Sequence, residues 1–116
     1  AGNDLGDFLD APPAGADAPV WRFLHAIAEF AKPLVAGVCG AAVGIGTTLL
    51  LHCDLVYAGD NARFSLPFVN LGLCPEAASS LLLPRRIGHA RAAEVLPLRR
   101  SGDVDVPAVA GVSAGP

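Results

Sequence analysis

Between Pro33 and Leu51 the chain carries no charge for 19 residues, and Gly37, Gly40, Gly44 and Gly46 all fall in the first 14 of them. A stretch this apolar has to be buried, either in a protein core or in a bilayer. Each Gly inside a helix costs roughly 1 kcal/mol relative to Ala, and Pro33 stands at the head of the run. One continuous membrane helix is therefore a poor solution, although Gly40-x-x-x-Gly44 has the small-residue spacing that such helices use to pair. The run divides more naturally in two. Leu34–Val38 is a short apolar piece bounded by Pro and Gly, which suits a buried strand. A helix follows from about Gly46 to His52, with a glycine turn between them.

Glycines directly ahead of a helix have three uses. A dinucleotide-type phosphate turn would need a third glycine at position 49, which is Leu, and no P-loop Lys-Thr pair follows. A helix N-terminus also has unpaired N–H groups and partial positive charge. If Gly44-Ile45-Gly46 lets a substrate approach the backbone, the Ile45 N–H can point at a carbonyl oxygen that becomes an oxyanion. One such donor is worth roughly 2.7–4 kcal/mol at a transition state. A second donor is available at the start of the chain, from the Asn3 N–H of "AGND". The third use is close packing of strand against helix. On these residues alone, the oxyanion and packing readings both stay open.

Around this run, strand and helix signals alternate, which argues for an α/β layered fold. Residues 1–19 read as a loop with one helical turn near Leu5–Leu9. Asp17 is placed to cap a helix with Pro19 in its first turn. Val20, Phe23, Leu24, Ile27, Phe30 and Ala31 share one helical face, and Lys32-Pro33 ends that helix. Asp54–Ala58 is a second buried strand, "GDNA" (59–62) a turn, and Arg63–Leu66 a brief strand. Pro67–Pro75 is irregular. Glu76–Leu83 and His89–Leu96 read as two helices divided by Pro84 and Gly88. From Pro97 to Pro116 the period is lost. An edge strand at Val104–Val112 is the only element the tail allows, and Pro107 weakens it. The division expected is a core over 1–96 and an irregular tail over 97–116.

Composition narrows the function. The 116 residues are 53% hydrophobic and 16% charged, with mean hydropathy +0.49 and net charge −3. That is apolar for a free-standing domain of this size. Together with the absence of Met and the loop-like start, it leads us to expect a piece of a longer chain. No basic footprint for nucleic acid is present. Arg85, Arg86, Arg91, Arg99 and Arg100 read as a solvated helix face. Cys39, Cys53 and Cys74 match no zinc or redox spacing and read as buried free thiols. His25, His52 and His89 are scattered. His52 is expected to be a satisfied core histidine, and no metal is expected.

The motifs "AGNDL", "KPLVAG", "GIG", "CDLVYA", "FSLPFVNLGL" and "PEAASSLLLPRRIG", in this order, resemble the crotonase family of enoyl-CoA hydratases and isomerases, over residues 1 to about 96. The resemblance implies an α/β fold with a partial ββα spiral core, lacking the family's N-terminal strands and C-terminal helices. It implies an acyl-CoA substrate with no cofactor beyond that coenzyme A, a homotrimer for the complete protein, and no nucleic-acid partner. It further implies the bacterial cytoplasm, or a peroxisome or mitochondrion in a eukaryote. By motif, the oxyanion donors are the N–H groups of Asn3 and Ile45. Gly2, Asp4, Gly44, Gly46, Phe68 and Leu73 belong to the substrate pocket, Asp4 as a loop-orienting residue.

The resemblance also selects a reaction. Hydratases carry two glutamates, at the positions of Thr48 and Phe68 here. Glu76 instead occupies the place of the single catalytic glutamate of Δ3,Δ2-enoyl-CoA isomerases. Leu71, Ala77 and Ala78 give it an apolar setting that raises a carboxyl pKa. Its bland alternative is a helix N-terminal acid that complements the dipole. The other readings are a different crotonase-type enzyme, hydratase or thioesterase, or a non-catalytic fragment. Apolar faces left over from the missing parts are expected to be exposed.

Overall fold

The computed structural model describes residues 2, 4–10, 12, 14–98 and 112–114. Helix α1 is Leu5–Asp10 and α2 is Pro19–Ala28. Strands β1 (Val35–Val38) and β2 (Ala41–Val43) lead into α3 (Ile45–Thr48), which a 3₁₀ turn continues through Leu49–His52. Strands β3 (Leu55–Ala58) and β4 (Arg63–Ser65) follow, then a 3₁₀ turn at Val69–Leu71. Helices α4 (Ser79–Ile87) and α5 (His89–Ala93) come next, with a π turn at Glu94–Leu98 and strand β5 at Val112–Ala114. Among these residues no helix is long and apolar enough to cross a membrane.

The uncharged run is thus two strands and a helix. β1 and β3 pair in parallel from Val35–Leu55 to Val38–Ala58, and β5 adds to the far side of β3. β2, which the sequence hid inside the glycine turn, pairs in parallel with β4 from Ala41–Arg63 to Val43–Ser65. Parallel pairs need crossovers. β1 returns to β3 through β2 and α3, and β2 reaches β4 through α3 and β3. The core lies between these strands and the helices, around Phe64, Leu83, Leu50, Leu51 and Val56. Thr47, wholly buried, donates its hydroxyl to the Ala42 carbonyl at 2.6 Å and stands 3.2 Å from that of Ser65, stitching α3 to both strands of the pair.

Several boundaries differ from the sequence reading. Ala18, not Asp17, caps α2, and its carbonyl accepts the Trp21 and Arg22 N–H groups. Helix α2 ends at Ala28, short of Phe30 and Ala31. Pro33 has no N–H for the Glu29 carbonyl and its ring would strike it, so the last turn closes from Glu29 to His25. Helix α4 starts three residues after Glu76, because Ala77 and Ala78 have left-handed φ of 52° and 53°. It then runs through Pro84. The only acceptor this deprives is the carbonyl of Ser80, an exposed residue that water can serve. In the tail β5 forms, whereas the Val104–Val112 strand lies outside the described residues save Val112.

Of the thiols, only Cys53 is buried; Cys39 and Cys74 are exposed, and all three are free. Arg86 does more than meet solvent. Its Nη2 donates to the carbonyls of Leu51 (3.1 Å) and Cys53 (3.3 Å), capping the end of the α3 segment from α4. Arg99 and Arg100 lie outside the described residues. The expected apolar faces are exposed: Val35, Leu55 and Tyr57 crowd one side of the β1–β3 pair, and Trp21, Phe23 and Phe30 stand out from α2 and its end.

Two substitutions test this frame. Replacing Arg86 by Ala removes the cap and lowers stability by about 1 kcal/mol in urea unfolding; an unchanged midpoint would show the cap idle. Gly44 has φ 55° and ψ −117°, a region closed to side-chain-bearing residues. Gly44→Ala costs about 1–3 kcal/mol through the backbone alone, since the added Cβ would meet nothing nearer than Glu76 Oε1 at 3.8 Å.

Candidate active site

The β2–α3 junction is built around Gly44. Its N–H donates to the Ser65 carbonyl at the end of β4 (2.9 Å), and its own carbonyl accepts the Thr47 and Thr48 N–H groups. Ile45, the first residue of α3, therefore has an N–H with no intrahelical acceptor. From the opposite side comes the start of the chain. A Cβ on Gly2 would collide with the carbonyl oxygen of Val43, so only a glycine lets this loop lie on the end of β2. Asn3 lies outside the described residues. Asp4 Oδ1 accepts the Gly6 N–H at 2.8 Å, which caps α1, and Asp4 is not brought to the two chambers with the other pocket residues named from the sequence.

Two chambers meet at Gly2, Ile45 and Glu76. The larger, about 500 Å³, is closed further by Gly44, Trp21, Pro67, Phe68, Leu71 and Leu73, with the Cys74 thiol at its wall. The smaller, about 390 Å³, lies against Pro19, Val20, Phe23, Gly46 and Leu49. Gly46, Phe68 and Leu73 are thus where the sequence placed them. Trp21 and Phe23 were missed as lining residues. Phe23 had been given to the buried face of α2, and Trp21 lies just off that face; a lone Trp at the edge of an apolar stripe was the available signal. Among the described residues, neither chamber is lined by Lys or Arg.

Among the described residues, Glu76 is the one carboxylate that lines both chambers. Burial pushes its carboxyl pKa up, with no charged neighbour contributing. It is held by a strained loop. A left-handed conformation costs roughly 1–2 kcal/mol for a residue with a Cβ, and Ala77 and Ala78 adopt it in succession. The Ser79 N–H donates to the Glu76 carbonyl (2.9 Å), and His52 Nε2 lies 2.8 Å from the Ala77 carbonyl oxygen. His52 is thus a satisfied, half-buried histidine as expected. Thr48 and Phe68, at the two positions where a hydratase keeps its glutamates, are buried. The Thr48 hydroxyl and that of Ser79 have no partner among the described residues. Cys53 is raised by burial and by Asp54, against the pull of Arg86, so it stays a thiol.

Relatives are consistent with this geometry. The chain is 48% identical to rat enoyl-CoA delta isomerase 2 over 102 residues, which cover 83% of this chain and 26% of that protein. The solved structure of OdaA from Pseudomonas aeruginosa shares 65% identity and superposes with a TM-score of 0.75, over 81% of this chain and 38% of that one. A structure from Magnetospirillum magneticum AMB-1, described as an enoyl-CoA hydratase/carnithine racemase, shares 50% identity with a TM-score of 0.85, over 97% and 44%. The chain thus spans about a quarter of the curated relative and less than half of either solved chain. The enoyl-CoA hydratase/isomerase family model matches residues 1–106. The parallel strand pairs, the glycine junction and the carboxylate facing it are those of a crotonase fold, and the chain belongs to the enoyl-CoA hydratase/isomerase family.

Proposed function

We propose that the protein is a Δ3,Δ2-enoyl-CoA isomerase in which Glu76 carries one proton between two carbons of the same acyl chain. The observation behind this reading is that, among the described residues, a single carboxylate lines both chambers together with Ile45, the first residue of α3, whose N–H has no intrahelical acceptor. A thioester carbonyl oxygen placed at the Gly44 turn receives the Ile45 N–H, and the Asn3 N–H supplies the second bond. Glu76 removes a proton from C2 of a 3-enoyl thioester, which leaves a dienolate whose charge the two donors stabilise. The same carboxyl then returns the proton at C4, giving the 2-enoyl product. Atoms balance without water or a redox partner.

Adding water across the double bond calls for a second acid–base group. Thr48 and Phe68 supply none, and among the described residues no other carboxylate lines either chamber. Phe68, Leu71, Leu73 and Trp21 offer the acyl chain an apolar wall. The rat relative's name, an enoyl-CoA delta isomerase, points to the same chemistry. With this reading go an acyl-CoA substrate, no cofactor besides its coenzyme A, and a homotrimer for the complete protein. Its place is a reducing compartment, the bacterial cytoplasm or a eukaryotic peroxisome or mitochondrion, which suits three free thiols.

Conversion of 3-hexenoyl-CoA by the complete protein tests it. Glu76→Gln should lower the rate by about 10²–10⁴-fold; an unchanged rate removes Glu76 from the mechanism, and hydration instead of double-bond migration removes the isomerase.

The pH dependence follows from the raised pKa. The base is the ionised form, so kcat/KM should fall with falling pH through an acidic limb that lies above the ordinary glutamate value of 4.5. The same shift destabilises the fold as pH rises. The folded state holds this proton more tightly than the unfolded one, so stability present below the unfolded pKa is lost as pH climbs through the folded pKa. Glu76→Gln should therefore raise Tm at neutral pH while it lowers turnover; a lower Tm would contradict the burial of a costly charge.

A further inference from the structure

His52 ends the 3₁₀ turn that continues α3, so one piece of helical chain carries Ile45 at its start and an imidazole at its end. That imidazole reaches the residue next to Glu76. A carbonyl oxygen can only accept, so the contact of 2.8 Å between His52 Nε2 and the Ala77 oxygen fixes the proton on Nε2. Ala77 and Ala78 are both left-handed, a conformation that residues with a Cβ keep only when their surroundings impose it. The Ser79 N–H binds the Glu76 carbonyl on the α4 side of this loop. Among the described residues, His52 supplies the side-chain hydrogen bond on the other side.

We propose that His52 is a positioning residue for Glu76: by holding the Ala77 carbonyl it keeps the left-handed pair closed and sets the carboxylate at the junction of the two chambers, in register with the Ile45 N–H. The proposal rests on Glu76 being the acid–base group. His52 lines neither chamber and does not reach substrate. Its ring faces a separate cavity with Lys32 and Asp54, the charged groups on that side. Its effect on turnover therefore passes through the loop. If the loop relaxes, Glu76 gains water, and the burial that raises its pKa is reduced.

The test uses the complete protein and three variants, His52→Phe, His52→Gln and His52→Asn, with 3-hexenoyl-CoA and Glu76→Gln as reference. Gln places an amide N–H as many bonds from Cα as Nε2 of His, and Asn falls one bond short. His52→Phe should lower kcat by about 10–100-fold, the range of a misplaced catalytic group. KM should stay near wild type, and the acidic limb of the pH profile should move to lower pH. His52→Gln should restore both kcat and the limb; His52→Asn should restore neither. Wild-type kcat and pH profile in His52→Phe overturn the proposal, as does equal behaviour of the Gln and Asn variants. Should His52→Phe fail to fold, the Gln–Asn pair decides. Full activity in Glu76→Gln overturns the reading of Glu76, and with it this one. Loss in Glu76→Gln beside an unaltered His52→Phe overturns the His52 proposal alone.

Discussion

At Gly44 the chain passes from a parallel strand to a helix within one residue, and every other part of the site is placed relative to that passage. The N–H of Gly44 extends the β2–β4 ladder to the Ser65 carbonyl, while its C=O accepts the N–H groups of Thr47 and Thr48. One peptide group thus belongs to the sheet and the next to the helix. Only the combination φ 55° and ψ −117° joins them. The direction of the Ile45 N–H follows from this, because α3 cannot rotate without breaking the Thr47 bonds to Ala42 and Ser65. The Gly2 loop is fitted to the same place, against the Val43 carbonyl. Glycine at 44 also leaves open the space between the turn and the Glu76 carboxylate.

This dependence explains what could be seen in the sequence. β1 and β3 were legible because each is a short apolar run between breakers, and β4 because it is a brief stretch after the "GDNA" turn; their boundaries shifted by about one residue. β2 was not. Ala41–Val43 is three residues of small, uncharged side chains between two glycines, and nothing in them differs from a turn; its identity as a strand comes from β4, which lies 20 residues further on. Ala77 and Ala78 show the opposite failure. Their composition continues the periodic pattern of α4, so Glu76 looked like a helix residue. Tertiary contacts force the pair into a left-handed bend and delay the helix to Ser79. Asp4 and Asp17 differ for a more local reason: a side chain caps a helix only from the residue directly before it, and a one-residue offset decides.

The site itself was legible through motif spacing more than through physics. Ile45, Gly44, Gly46, Phe68, Leu73 and Glu76 all come together at the two chambers, from two separate stretches of chain. What spacing did not convey was the neighbourhood. Trp21 closes the larger chamber from a helix whose apolar face was assigned to the core. His52 looked inert because a histidine beside a core cysteine usually is; its partner, Ala77, is 25 residues away.

The residues from 76 to 78 break three local rules at once: a carboxylate is partly buried without a counter-charge, and two alanines adopt a conformation suited to glycine. Each of the three costs stability. Proteins keep such segments where chemistry needs them and offset the cost elsewhere. Here the offset lies on the far side of the sheet pair. Phe64 and Leu83 are sealed in the core, Arg86 caps the α3 segment, and the Leu34 carbonyl accepts the Asp54 and Leu55 N–H groups while the Asp54 carboxylate accepts the Leu34 N–H. The rigid part of the fold thus ends where the strained part begins, and His52 stands at that boundary. A loop of ordinary conformation in the same place would need no such support. It would let the carboxylate swing towards water, lower its pKa and lose its fixed distance from the Ile45 N–H. A base that takes up and returns the same proton needs both a matched pKa and an unmoving carboxyl, and the strain and the burial act together to supply them.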